Sequence, residues 1–284
     1  MTIAVTGATG HLGRLIVDDL IARGVAPAEI VAGGRRIETI ADLAERGVRV
    51  VRADYDDPAS LRDAFQGVES LVLVSGSAVG GRTAQHRAAI DAAKETGVRR
   101  ILYTSAPKAT TTPLILAAEH KATEELLAAS GLTTVVLRNG WYTENYAGVL
   151  DQAEKTGEII GSVGSGRVAS ASRIDYAQAA GVVLTTEGHD GAVYELSGDV
   201  AWDYPELAAA VAEVVGRPVV YRDLSPEEHL KALLAAGLDE GAAGFAVALD
   251  QDTKAGLLAE TSGDLARLIG RPTTPLLEGL RALR

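Results

Sequence analysis

Three glycines stand at positions 7, 10 and 13 in "VTGATGHLGR", directly behind a short apolar run. A strand, a tight turn and a helix beginning near His11 would leave backbone N–H groups bare at a helix N-terminus, where an anionic pyrophosphate is stabilised. In that arrangement Gly7 allows the turn, Gly10 lets phosphates approach the backbone, and Gly13 lets the helix pack close to the sheet. The spacing G-x-x-G-x-x-G is one residue wider at its first step than the commoner dinucleotide fingerprint, so a purely structural turn is the plain alternative. Context favours dinucleotide binding, because the motif follows the first strand and opens the first helix.

The end of the second strand selects among dinucleotides. An NAD site usually presents an acidic residue there to the ribose hydroxyls, whereas this strand ends "AGGRR", with Arg35 and Arg36. Two guanidiniums suit a 2′-phosphate through charge-assisted hydrogen bonds, so NADP(H) is preferred over NAD(H). The alternative is a pair of solvated surface arginines. Asp54 and Tyr55 follow the third strand in "RADYDD". A carboxylate there can accept from an adenine amino group, or serve as a cap or turn acid ahead of Pro58.

Flat apolar walls for a planar ligand would come from "NGWYTENY", which brings Trp141, Tyr142 and Tyr146 together in a chain with only 4% aromatic residues. The alternative is that one or more of them fills the core. Trp202 and Tyr204 are expected to pack within a C-terminal lobe. His86, His189 and His229 show no metal-ligand spacing and read as surface or satisfied core residues, so no metal site is expected. "GSVGSG" (161–166) reads as a plain turn or a flexible flap.

The elements that must position these residues alternate. Strands are expected at 2–5, 29–34, 48–53, 70–75, 99–105 and 133–139, several of them apolar throughout, as in a parallel sheet covered on both faces. The intervening segments carry apolar residues at helical spacing, and most end in a glycine where a C-cap wants one. This is the rhythm of a doubly wound α/β fold. After about residue 140 it changes, with helices expected near 144–155, 174–186, 204–215 and through most of 226–258, and strands at 192–198 and 218–224. The division expected is a dinucleotide-binding domain over 1–140 and a small α+β C-terminal lobe over 141–284, with some of its elements returning to the main domain.

Composition bounds the function. The 284 residues are 47% hydrophobic, enough for a substantial core, and the formal charge of −11 gives no basic footprint for nucleic acid or an anionic membrane. With no cysteine there is no thiolate nucleophile, disulfide or cysteine-ligated metal. No signal peptide or membrane-length apolar run is visible, so the expectation is cytoplasmic.

The stretches "TGATGHLG", "ADYDDPASLRDAFQGVESLVLVSGS", "AAIDAAKETGVRRILYTS", "LRNGWYTENY", "YELSGDVAW" and "RLIGRPTTPL" together resemble the NmrA-like atypical short-chain dehydrogenases/reductases, above all the type 2 NAD(P)H:quinone oxidoreductases, with triphenylmethane reductases as near relatives. The resemblance implies an extended Rossmann fold and a substrate cleft between the lobes. It implies phosphate contacts from Gly7 to Leu12 (Gly7, Thr9, Gly10, His11 and Leu12 among them, backed by Gly13) and a 2′-phosphate contact from Arg35. It also assigns Ser75, Gly76 and Ser77 to the sugar and pyrophosphate, and Asn139, Gly140, Trp141, Tyr142 and Glu144 to the nicotinamide side. Many relatives self-associate, which leaves a homo-oligomer open, though no patch in the sequence identifies an interface.

Typical members of the wider superfamily use a serine, a tyrosine and a lysine, the last two spaced Y-x-x-x-K, so that the tyrosine protonates a carbonyl as hydride arrives. Here Ser105 ends the fifth strand and Lys121 can be the lysine, but Ala117 stands where the tyrosine would be. Lys121 can hold the nicotinamide ribose or be a solvated helix lysine. Reducing an unactivated ketone leaves an alkoxide and demands a positioned acid, whereas a quinone gives a delocalised phenolate-type anion that water can protonate. The missing tyrosine therefore favours a quinone or similar planar acceptor held by proximity and orientation, with Tyr142 available to polarise its oxygen. The competing readings are an NADP(H)-sensing regulator without turnover and a reductase of another conjugated acceptor, a dye or an enone.

Overall fold

The computed structural model describes residues 1–76, 78 and 80–284 of the chain. In chain order the elements are β1 (Ile3–Val5), α1 (His11–Ala22), β2 (Ile30–Gly34), α2 (Ala41–Glu45), β3 (Arg49–Arg52), α3 (Pro58–Phe65), β4 (Ser70–Leu73), α4 (Arg82–Glu95), β5 (Arg100–Ser105), α5 (Ala117–Ala129) and β6 (Thr133–Asn139). There follow α6 (Ala147–Thr156), β7 (Glu158–Gly161), β8 (Arg167–Val168), α7 (Arg173–Thr185), β9 (Val193–Leu196), β10 (Trp202–Asp203), α8 (Tyr204–Val215), β11 (Val220–Asp223), α9 (Pro226–Ala235), α10 (Glu240–Lys254), α11 (Asp264–Ile269) and α12 (Leu276–Arg281).

The chain divides into two compact units. The first comprises residues 1–110, 116–139 and 173–196. It is built on a seven-stranded sheet in the order β3-β2-β1-β4-β5-β6-β9, parallel throughout, which is the doubly wound α/β fold expected from the sequence. β1, β2 and β4 are buried along their whole length, as continuous apolar runs in a sheet covered on both faces should be. On one face Leu61 and Phe65 of α3 and Ala89, Ile90 and Ala93 of α4 pack over Leu71, Leu73 and Tyr103. α1, which buries Leu12, Ile16, Val17 and Leu20, packs against α7. The strand order reverses between β1 and β4, so the carboxyl ends of these two strands flank the place where an open α/β sheet receives its ligand.

The second unit comprises residues 111–115, 140–172 and 197–284. It holds two small sheets, β7 parallel with β11 and β8 antiparallel with β10. Its core is aromatic: Tyr146 packs edge-on to Trp202 and Tyr204, and Tyr204 leans on Tyr221 with ring centroids 5.0 Å apart. Capping boxes start α8 (Asp203 with Glu206) and α9 (Ser225 with Glu228), with a proline at the second helical position of α8 and the first of α9. The turn after β7 is not a flap. The Ser162 N–H donates to Asp250 at 2.7 Å, Gln251 donates to the Ser162 carbonyl, and the Gly164 N–H donates to Asp223, so this glycine-rich stretch is tied down at Ser162 and Gly164.

Candidate functional site

The glycine turn sits at the carboxyl end of β1. Gly7 has φ +62°, the left-handed region that favours glycine, and its carbonyl accepts from the Gly10 N–H at 2.9 Å. A Cβ on Gly13 would lie 2.4 Å from the Gly7 carbonyl oxygen, so only glycine permits α1 to start this close to the turn. α1 opens with Gly10 as its N-cap, no side chain caps it, and its first turn carries no acidic residue. The N–H groups of a helix's first turn have no intrahelical acceptors, so this terminus presents uncommitted donors and positive potential to an anion. A dinucleotide pyrophosphate fits that donor set. His11 is exposed and Leu12 is buried beneath the turn.

The same turn is fastened to the end of β2. The Ala8 N–H donates to the Gly33 carbonyl at 2.9 Å, and a Cβ on Gly34 would fall 2.4 Å from Cγ2 of Thr9. Gly34 therefore lets the turn lie directly on β2, Gly33 makes room for Ala53, whose Cβ would be 2.9 Å from a Cβ there, and the chain leaves that contact as Arg35 and Arg36. Both arginines are exposed, and neither guanidinium has a hydrogen bond or ion pair with any described residue. Arg14 contrasts with them, since Asp18 and Asp42 hold its guanidinium. Cations kept clear of carboxylates at the end of the second strand suit a 2′-phosphate.

The third strand's exit carries Asp54 and Tyr55, and both have internal partners. Asp54 accepts from the Asp56 N–H at 3.2 Å, a local turn, and lies 3.3 Å from Arg52, while Asp57 rather than Asp54 caps α3. The Tyr55 hydroxyl donates to the Val74 carbonyl at 2.7 Å and meets Thr6 Oγ1 at 2.6 Å. Burial pushes its pKa up, so it stays a neutral brace between β1 and the segment after β4.

That segment contains Ser75 and Gly76; Ser77 lies outside the described residues. The Ser75 N–H donates to Thr104 Oγ1 at 2.9 Å. The Gly76 N–H donates to His86 Nε2 at 3.2 Å, and its carbonyl accepts from Arg82 Nε at 2.7 Å. His86 is fully buried, and desolvation, then the Arg82 charge, lower its pKa to about 3. His120 is lowered to about 3 in the same way, with burial again the leading cause, and its Nδ1 meets the Tyr103 hydroxyl at 2.7 Å. Both imidazoles are thus neutral. Neither spacing nor composition marks His86 as the partner of Gly76; the bond exists only once α4 packs beside β4.

At the end of β5 the Ser105 hydroxyl donates to Glu124 at 2.6 Å. Glu124 is gripped in turn by Arg138, through Nε at 3.0 Å and Nη2 at 2.6 Å, and Arg138 Nη1 donates to Glu195 at 2.8 Å. Ser105, Arg138 and Glu195 lie on adjacent registered positions of β5, β6 and β9. Ala117 is buried at the start of α5, while Lys121, one turn on, is exposed and has no hydrogen bond to a described residue. No tyrosine occupies the Ala117 position, and the serine is engaged by a carboxylate.

Asn139 ends β6, buried in the first unit. Gly140 opens the corresponding stretch of the second unit, where Trp141 and Tyr142 are half-buried and run beside Ala171: the Ala171 N–H donates to the Trp141 carbonyl and the Thr143 N–H to the Ala171 carbonyl. Glu144 is half-buried in the one-turn 3₁₀ segment that follows. Tyr146, the third aromatic of this stretch, belongs to the core of the second unit rather than to an open wall, and so do Trp202 and Tyr204. Among the described residues no group of three or more His, Asp or Glu could hold a metal ion, and no helix is long and apolar enough to cross a membrane.

Comparison with known proteins agrees with this geometry. The sequence pattern of the NAD(P)H-binding family matches residues 7–187. Over 281 residues, 99% of this chain and 98% of the relative, the chain is 46% identical to quinone oxidoreductase 2 of Escherichia coli strain K12. Its fold superposes on the crystal structure of an NADPH-dependent quinone oxidoreductase from Escherichia coli complexed with NADPH, with TM-score 0.94, 45% identity and 99% of each chain covered. A Citrobacter sp. triphenylmethane reductase complexed with NADP(H) gives TM-score 0.94 at 37% identity, with 100% of each chain covered. A glycine-bared helix end at the switch point of a parallel sheet, matched along its full length by such relatives, leads to one conclusion: the chain belongs to the NAD(P)H-binding, NmrA-like family.

Proposed function

We propose that the chain is an NADPH-dependent oxidoreductase that passes hydride to a quinone-type acceptor and works in the cytoplasm. The observation that carries this reading is the 46% identity to a quinone oxidoreductase, spread over 99% of the chain. The site residues support it. Gly7 to Leu12 contact the diphosphate with Gly13 behind them, Arg35 and Arg36 receive the 2′-phosphate, and Asp54 with the Ser75–Gly76 backbone flanks the adenine and sugar portions. Asn139, Gly140, Trp141, Tyr142 and Glu144 border the nicotinamide. When bound, the reduced coenzyme supplies the hydride. Lys121 orients the ribose, and Tyr142 offers a hydroxyl to the acceptor oxygen.

The proton chemistry fits the acceptor class. A carbonyl reductase needs an acid placed on the developing alkoxide, but here Ala117 carries no proton and Ser105 gives its own to Glu124. A quinone delocalises the charge it receives and takes its proton from water, so the chain's task reduces to orientation and exclusion. The likeness to a dye reductase favours electron-poor cationic dyes as a second class of acceptor by the same logic.

The test is steady-state NADPH oxidation with and without a small benzoquinone. Turnover that depends on the quinone is the expected result. Saturable NADPH binding with no turnover on quinones or cationic dyes would replace this reading with that of a coenzyme sensor.

A further inference from the structure

The segment leaving β4 is held peptide by peptide from four different parts of the chain: the turn after β1, the loop after β3, β5 and α4. Val74 donates its N–H to Thr6 Oγ1 at 3.0 Å and accepts from Tyr55 at 2.7 Å; Ser75 donates to Thr104 at 2.9 Å; Gly76 is gripped on both sides, by His86 Nε2 at 3.2 Å and Arg82 Nε at 2.7 Å. A surface loop whose only duty is to connect a strand to a helix does not need this. The grip on Gly76 differs from the rest in what it costs to maintain. Arg82 and His86 are 6% and 0% exposed, and burying a guanidinium is unfavourable unless its bonds matter. The Glu119 carboxylate stands 3.8 Å from Nη1, too far for a good hydrogen bond.

The imidazole is oriented as well as buried. Because Nε2 accepts from the Gly76 N–H, the proton of the neutral ring sits on Nδ1 and points to Thr123 Oγ1 at 2.9 Å. Thr123 in turn donates to the Glu119 carbonyl at 2.8 Å. A directional chain thus runs from the backbone of α5 through Thr123 and His86 to the Gly76 amide, and it fixes which ring nitrogen faces the loop. Glu119 closes the arrangement from the other side, since its carboxylate accepts from the Gly80 N–H at 3.1 Å.

We propose that His86 and Arg82 form a clamp that sets the backbone of Ser75 and Gly76 in the conformation that receives the dinucleotide, and are positioning residues for coenzyme affinity. The inference rests on the coenzyme reading given under Proposed function. Two replacements of the histidine separate the clamp from mere packing. His86→Gln can place an acceptor oxygen where Nε2 stands and keep the Gly76 bond. His86→Asn reaches only as far as Nδ1 and keeps the Thr123 bond instead.

The experiment is fluorescence titration of each purified full-length variant with NADPH, with thermal melting and quinone kinetics alongside. His86→Asn should raise Kd about tenfold, a change of about 1.4 kcal/mol, while His86→Gln stays within about threefold of the wild type. KM for NADPH should follow Kd with kcat unchanged. A folded His86→Asn variant with wild-type Kd, or equal losses in both variants, overturns the clamp. Should His86→Asn fail to fold, Arg82→Met is read in the same titration, and an unchanged Kd there overturns it equally. Wild-type protein that takes up no NADPH would sink the coenzyme reading itself, an outcome distinct from either.

Discussion

Thr9 lies against Gly34 with no room for a side chain between them: a Cβ on Gly34 would be 2.4 Å from Thr9 Cγ2 and 2.7 Å from its Oγ1. The contact couples the phosphate turn to the strand end that carries Arg35. Gly34→Ala is expected to push the turn off β2 and raise Kd for NADPH by about tenfold or more, a loss of about 1.4 kcal/mol of binding. Gly244→Ala is the control. That glycine lies in α10 with open space where a Cβ would go, and the change should add about 0.5–1 kcal/mol of stability without touching affinity. Titration and chemical denaturation read the two effects separately.

Arg35→Ala tests the phosphate assignment. Removing a guanidinium that has no partner among the described residues costs the fold little, so the effect should fall on the ligand. Affinity for NADPH should drop by about one to two orders of magnitude, in keeping with about 1.5–3 kcal/mol for a charged hydrogen bond, while NADH affinity moves less than about twofold. Equal losses for the two coenzymes would remove the arginine from the 2′-phosphate.

Ser105 looks catalytic by position but is spoken for by bonding. Ser105→Ala should leave kcat with a benzoquinone within about threefold of wild type and lower stability by about 1 kcal/mol, because Arg138 still satisfies Glu124. A hundredfold fall in kcat would show that the serine acts on the acceptor after all.

The two neutral buried histidines predict acid sensitivity. Folded His86 and His120 have pKa values near 3, below the unfolded value of about 6.5, so below that pH the unfolded chain binds protons that the native chain does not. Their contribution is complete above about pH 6.5 and is lost as the pH falls towards 3, at about 1.4 kcal/mol per pH unit for each ring. Urea unfolding at pH 7 and pH 5.5 should therefore differ by about 2.5 kcal/mol from these two groups. The slope should halve in His86→Gln, and an unchanged slope would mean that the ring is charged in the native state.

What could be read from the sequence was whatever the backbone alone dictates. Gly7, Gly10 and Gly13 are constrained by the turn whatever surrounds them, the apolar strands announce a sheet covered on both faces, and Arg35 and Arg36 follow a strand end in the chain itself. What could not be read depended on which faces meet. Ser105 and Glu124 are 19 residues apart, and nothing local says that the hydroxyl turns to α5. The clustering of Trp141, Tyr142 and Tyr146 is visible, but a 3₁₀ turn sends Tyr146 inward onto Trp202, a partner 56 positions away. The "GSVGSG" stretch has the composition of a mobile loop, and its rigidity comes from Asp250 and Gln251, nearly ninety residues downstream. The two-residue strands β8 and β10 are too short to leave a periodic signal.

Gly13 has an evolutionary corollary. Every single-base change to a glycine codon that replaces glycine by another amino acid introduces a Cβ, and here that atom would be driven to 2.4 Å from a carbonyl oxygen that cannot retreat, because it belongs to the left-handed turn at Gly7. No one-step amino-acid replacement at this position escapes that clash. Lineages that keep the fold should therefore drift freely at exposed sites such as Gly244 while codon 13 stays silent, and a saturation library selected for folding would recover glycine there alone.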